Sequence, residues 1–289
     1  YNGVLWTLQM LFLGAYLDYG CAALLSGKKW RWIVYGVLAV ALLRTDFIGI
    51  FLGYVLCDFM YTNWKVKENI CSSKVLNWVF FAVGLYFMCY PSAGFGYEGT
   101  IWGILPFVFV NYYHLFGVLL FVFSVLNLEP VQQFFSLGVF QYLGRISYSL
   151  YLIHFLVIAT LGSWFFLIAE PLYGYNLTCF LNLILISAVT GLLSELSVRY
   201  VEPLGKKGEA FIENGCLENT NNAHPKNFGL YSSGRLEWLD FGKAMGILVV
   251  LLVHAGCRLG LVTYYGGMFY MPIFFVAAGM MVICVIIIM

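Results

Sequence analysis

The chain has 289 residues, of which 62% are apolar and only 10% charged, where an ordinary soluble domain carries about 25% charged residues. Fifteen basic and fourteen acidic residues leave a net charge of +1, so no overall field gathers polyanions. These values exclude a soluble globular domain, a disordered chain and a nucleic-acid-binding protein, and they point to an all-α fold, a polytopic membrane helical bundle.

Hydropathy places about nine transmembrane helices, at residues 4–25, 32–43, 47–61, 75–90, 112–128, 146–168, 177–196, 239–257 and 268–289. Several are shorter than the ~20 residues that a straight span needs, and a short span is accommodated inside the bundle beside longer neighbours. The stretch 101–110 is apolar but brief and contains Pro106, which suits a re-entrant or interfacial segment. From Gly205 to Arg235 the chain turns polar and rich in Gly, Asn and Ser, a linker signature. It separates a seven-span block, residues 1–204, from a two-span block, residues 236–289. The chain starts at Tyr1 and stops inside the apolar run 285–289, so it is expected to be a piece of a longer polypeptide.

Lys and Arg concentrate on the cytoplasmic side of membrane proteins. With the first span running outside to inside, the inner segments collect Lys28, Lys29, Arg31, Lys65, Lys67, Lys74, Arg145, Arg199, Lys206, Lys207, Lys226 and Arg235, and the outer ones only Arg44 and Arg258. The eight cysteines form no C-x-x-C pair or metal-ligand spacing. Six of them lie in or beside apolar runs, as small hydrophobes packed between helices do.

Ionisable groups within spans are costly and mark functional candidates. Asp18 and Asp58 lie near span ends, where a solvated or hydrogen-bonded structural role accounts for them; His114 opens a span, and Glu195 is close enough to an inner end to reach headgroups. Asn176-Leu-Thr178 is a glycosylation sequon on the expected outer side. Ser147, Tyr151 and His154 recur at i, i+4, i+7 and share one helical face. Such a stripe faces protein or a water-filled cavity, and either interhelical hydrogen bonding or a site satisfies it. In the second block Lys243 and His254 are eleven residues apart. That is roughly 1100° of helix, close to three whole circuits, so the two share a face ~16 Å apart along the axis. Neutral His accepts a proton from a hydroxyl and Lys binds phosphate, while snorkelling and core packing are the structural readings of the same pair.

The second block, with Trp238-Leu-Asp-Phe-Gly-Lys-Ala-Met-Gly-Ile-Leu248, His254 and Met271-Pro-Ile-Phe-Phe275, resembles the start of the acyltransferase family 3 fold. The first block resembles the later part of the same fold, through Leu5-Trp-Thr7, LGRISYSLYLIH at 143–154 and Tyr200-Val-Glu-Pro203. The order reads as the back of one unit, a linker and the front of another. A tandem protein whose joint is this chain is the simplest account, and a circular permutation is the other. The sequence departs from the family pattern at Leu11, where a Glu usually follows the Trp-Thr motif, at Tyr270, where the family has His before Met-Pro, and at Ala278, where it has Ser.

The resemblance implies a membrane O-acyltransferase that moves an acyl group, such as acetyl, from acyl-CoA to a hydroxyl of a sugar or cell-surface glycan. His254 would be the catalytic base, with Lys243 and Arg235 holding the donor; His154, Tyr151, Ser147, Glu202 and Tyr270 are further candidates. Acyl-CoA is a co-substrate, and no bound cofactor or metal is implied. The expected partners are the glycan acceptor and membrane lipid, with no nucleic acid, and the expected location is the plasma membrane. Two other readings compete: a transporter or flippase of a lipid-linked glycan, and a degenerate inactive unit suggested by Leu11, Tyr270 and Ala278.

The basic asymmetry makes a topology prediction. In a background with the native cysteines replaced by Ser, a membrane-impermeant thiol reagent applied to intact cells should label Tyr97→Cys and miss Asn221→Cys. The reverse pattern would invert every span.

Overall fold

The computed structural model describes residues 6–62, 64–91, 99–205, 207, 273, 275–278 and 280, and these form helices joined by turns. Ten α-helices occur in chain order: α1 Trp6–Leu25, α2 Arg31–Leu42, α3 Phe47–Tyr61, α4 Lys65–Ser72, α5 Lys74–Met88, α6 Val110–Asn127, α7 Glu129–Phe135, α8 Gly138–Val157, α9 Ser163–Tyr173 and α10 Tyr175–Leu196. A 3-10 turn, Phe107–Phe109, leads into α6; π-helical turns at Ile158–Gly162 and Ser197–Val201 join α8 to α9 and extend α10.

Four helical runs among the described residues are long and apolar enough to cross a membrane: Thr7–Leu25, Val110–Asn127, Gly138–Tyr173 and Tyr175–Gly205. Helices α2, α3 and α5 are apolar but have only 12 to 15 residues. Of the nine expected spans, 239–257 lies outside the described residues, and 268–289 is described only at 273, 275–278 and 280. The span expected at 146–168 begins earlier, at Gly138, and continues through the π-helical turn to Tyr173. Helix α4 is a short amphipathic helix that hydropathy passes over. Asn77 anchors it, its amide donating to the Ile70, Cys71 and Ser73 carbonyls at 3.2, 3.0 and 2.9 Å.

The apolar helices leave part of their surface bare. On α2, Ile33, Val37 and Val40 recur at i, i+4, i+7 and are exposed, whereas Tyr35 on the other side is buried. That is the pattern of a helix with lipid on one side and protein on the other. The main core joins α1, α2, α3, α5, α6 and α7 through residues such as Cys21, Tyr35, Phe51, Tyr54, Val118, Phe121 and Phe135. Helices α8, α9 and α10 form smaller apolar clusters of their own, around Ile146 and Leu150 and around Val157 and Ile186. Thr7 on α1 ties this group to the main core through a hydroxyl hydrogen bond with Tyr151 on α8.

Glycines set the closest approaches. A Cβ on Gly84 of α5 would lie 2.8 Å from the Phe121 backbone nitrogen, and one on Gly117 of α6 would lie 2.5 Å from that of Met88. The two backbones are in contact, which only small residues allow. On α3, Gly49 and Gly53 receive the helical residues from beyond the linker: a Cβ on Gly53 would collide with the Val276 carbonyl oxygen, and one on Gly49 would lie 3.0 Å from the Phe275 Cβ. Ile273, Val276 and Met280 belong to the main core.

Gly84→Val should therefore force α5 and α6 apart, an overpacking cost of about 1–3 kcal/mol, read as a lower unfolding midpoint of the protein in detergent. Gly36→Ala, where an added Cβ meets nothing within 4 Å, should leave the midpoint unchanged or raise it slightly.

Candidate functional site

Helix α10 buries Thr178, Asn182, Ile186, Thr190 and Ser194. The spacing of four traces an i±4n ridge, which winds slowly around the helix and packs into a neighbour's groove. Four of these five residues are polar, so the ridge forms a polar seam inside an apolar helix. Toward its start the ridge meets the π-helical turn of Ile158–Gly162, where a Cβ on Gly162 would lie 2.7 Å from Ile186 Cδ1 and 3.6 Å from Asn182 Oδ1. Toward its end it meets α8.

Around α8 from the residues that meet α10 lies the stripe expected from spacing, on the side tied to Thr7 of α1. Ser147 and His154 are buried there, and Tyr151 is half-buried. The Ser147 hydroxyl donates to its own helix, to the Gly144 carbonyl at 2.8 Å. His154 Nδ1 lies 2.7 Å from the Tyr151 carbonyl. A carbonyl oxygen only accepts, so Nδ1 carries the proton and Nε2 is the acceptor nitrogen of the neutral ring. The Tyr151 ring packs against the imidazole, with centroids 5.7 Å apart, while its hydroxyl bonds Thr7.

The end of α10 closes the seam. A π-helical turn holds one residue more than an α-turn and rotates the succeeding helix by ~100°. After the turn at Ser197–Val201, Glu202 comes beside α8, where the Ser149 hydroxyl donates toward Glu202 Oε1 at 3.3 Å and Ser197 Oγ at 3.2 Å. Nearby, Glu195 accepts from Arg199 Nε at 2.7 Å and Arg145 Nη2 at 3.1 Å. Both arginines are largely exposed, so these pairs fix side-chain positions and add little stability, a median of about 0–1 kcal/mol each. Glu195 thus bridges two helices, beyond the interfacial role expected for it.

The segment 143–154 and the Tyr200-Val-Glu-Pro203 element, apart in sequence, therefore meet through Ser149 and Glu202. Ser147, Tyr151 and His154 lie on a different side of α8 from Ser149, since two residues of helix are about 200° apart, and the Tyr151–Thr7 bond places that side toward α1. Arg235, Lys243, His254 and Tyr270 lie outside the described residues. Leu11, in the place of the expected Glu, is half-buried between Thr7 and Gly14 on the inward face of α1. Sequence reasoning passed over Asn182 and Thr190 and read Thr178 only as part of a glycosylation sequon; Thr178 Oγ1, Asn182 Oδ1 and Thr190 Oγ1 are buried without a hydrogen-bond partner among the described residues. Their four-residue recurrence within an apolar run was the available signal. The expectation for His114 changes, since it is buried, with Nε2 2.8 Å from the Tyr90 carbonyl; Asp58 keeps the hydrogen-bonded structural role expected for it, paired with Arg31 Nε at 2.8 Å.

Comparison with protein-family models, curated proteins and solved structures finds no match to this chain.

The Thr7–Tyr151 bond is the polar tie between α1 and α8. In a double-mutant cycle of Thr7→Val and Tyr151→Phe, the two should couple by about 0.5–1.5 kcal/mol in unfolding free energy. Strict additivity would show that the bond contributes nothing.

Proposed function

We propose that this chain is part of a membrane O-acyltransferase that moves an acyl group from acyl-CoA to a hydroxyl of a sugar or cell-surface glycan. The observation that carries the reading is the meeting of two segments that resemble acyltransferase family 3, 143–154 and 200–203, through the hydrogen bond of Ser149 to Glu202. The resemblance of Lys243, His254 and Met271-Pro272 to the start of the same fold adds to it.

In this reading His254 takes the proton of the acceptor hydroxyl as that oxygen attacks the thioester carbonyl. The carbon–sulfur bond breaks, and the CoA thiolate leaves and takes up the proton, so ester and thiol are formed with none left over. Lys243 and Arg235, on the cytoplasmic side, hold the donor phosphates. Ser147, Tyr151, His154 and Glu202 shape the acceptor side, with Tyr270 in the second block, and the enzyme lies in the plasma membrane. A second reading, a unit that assembles with others and has lost catalysis, draws on Leu11: an apolar side chain occupies the inward face of α1 where the resemblance expects a carboxylate.

The test is acyl-CoA turnover by the purified full-length protein with sugar acceptors. His254→Ala should lower transfer by about 10²–10⁴-fold, the usual contribution of a general base. Lys243→Ala should act mainly through donor KM and recover as acyl-CoA saturates. Full activity in His254→Ala would end the catalytic assignment. Absence of transfer in the wild type and in Tyr270→His would favour the inactive unit.

A further inference from the structure

Away from the seam, Asp18 of α1 has 0% of its surface exposed, and neither carboxylate oxygen has a hydrogen-bond partner among the described residues. It stands seven residues before the end of α1, ~10 Å along the helix from the inner face. Among the described residues an ionised carboxylate there has no counter-charge within hydrogen-bonding reach, a costly arrangement in an apolar bundle. Taking up a proton removes that cost.

The groups around it supply a route. Tyr54 on α3 belongs to the same buried core as Cys21, which is one turn beyond Asp18 on α1. The Tyr54 hydroxyl is 3.0 Å from the hydroxyl of Tyr35 on α2, and both are buried. Asp58, one turn beyond Tyr54 on α3, acts electrostatically on both tyrosines. It is partly exposed and paired with Arg31, whose Nη2 also donates to Thr62 Oγ1 at 2.9 Å. In the orientation expected from the basic residues, this pair is at the inner face. Among the described residues Cys21 on α1 and Cys57 on α3 are further titratable groups of this core, both buried. Tyrosine hydroxyls accept a proton on one lone pair while releasing their own, so two in contact form a short relay.

We infer that Asp18 is a proton-binding site inside the bundle, loaded from the inner face through Asp58 and the Tyr35–Tyr54 hydroxyl pair. One proton leaves inner-face water and enters at Asp58. Each tyrosine passes its own proton on as it receives another, and the Asp18 carboxylate becomes a neutral acid once its carboxyl turns toward Tyr54. The balance is one proton taken up per chain, with no other co-reactant. The inference does not depend on the acyl-transfer reading.

Infrared difference spectroscopy of the full-length protein in lipid nanodiscs tests it. The wild type should show the carbonyl stretch of a buried protonated carboxylic acid, downshifted on exchange into D2O. Asp18→Asn should lose that band, and Asp18→Glu should keep it at a shifted frequency, which separates loss of the site from loss of the fold. Tyr54→Phe and Tyr35→Phe should retain the band but slow its hydrogen–deuterium exchange by about tenfold or more, equivalent to raising the transfer barrier by about 1.4 kcal/mol. A band that persists in Asp18→Asn, or that is missing from the wild type at every pH where the protein stays folded, overturns the site. Exchange unchanged in both tyrosine variants overturns the relay.

Discussion

Backbone carbonyls are the acceptors on which half of the buried polar side chains among the described residues depend. In an apolar surround an unsatisfied donor is costly, and water is not there to relieve it. Ser124 therefore donates to Leu120, Asn127 to Phe123, Ser194 to Thr190 and Thr160 to Leu156, each reaching back one turn along its own helix. Asn77 directs its amide at three carbonyls around the end of α4, and His114 pairs with the Tyr90 carbonyl across two elements. Side chains held in this way let spans stay polar on one side without needing a partner helix. That arrangement also singles out the exceptions: Tyr151, Ser149 and Arg31, which reach side chains on other helices, and the Asp18 carboxylate, Thr178 Oγ1, Asn182 Oδ1 and Thr190 Oγ1, which reach no partner among the described residues.

The turn between α5 and α6 shows the same rule applied to irregular backbone. Residues 99–109 lack long helix, so their carbonyls require outside donors. Tyr86 supplies a hydroxyl to Ile101 at 2.7 Å and Tyr90 one to Leu105 at 2.9 Å, while the Trp102 indole returns a bond to the Tyr86 carbonyl at 2.8 Å. The aromatic rings pack on one another as they do so, Tyr86 over Trp102 and Tyr90 beside Tyr113. Amphipathic rings are suited to this depth, with an apolar body and a hydrogen-bonding tip.

Hydropathy found α1, α2, α3, α5 and α6 to within a few residues, because each is a run of apolar residues bounded by charge or by Gly and Pro. It shortened α8 because Gln141, Gly144 and Arg145 dilute the apolar run, although the helix continues through them to its inner end. The joins α8–α9 and α10–202 were invisible, since a π-helical turn changes the phase of a helix without changing its composition. Spacing alone brought out Ser147, Tyr151 and His154, whereas Glu202 came from the family resemblance. Asp18 was misjudged as a span-end residue: its depth depends on how α2 and α3 fold over α1, and no one-dimensional window contains that.

The contact of Gly53 with the Val276 carbonyl joins residues made far apart in time. Ribosomes add ~5–20 residues per second, so the roughly 220 residues between them take about ten to forty-five seconds to appear. Through that interval the Gly49–Gly53 face of α3 is already in the membrane, with its eventual cover not yet synthesised. A small-residue face is also attractive to any other helix that can approach closely. The nascent bundle is thus exposed to mispairing at α3 for far longer than at the α5–α6 crossing, whose two glycines emerge almost together.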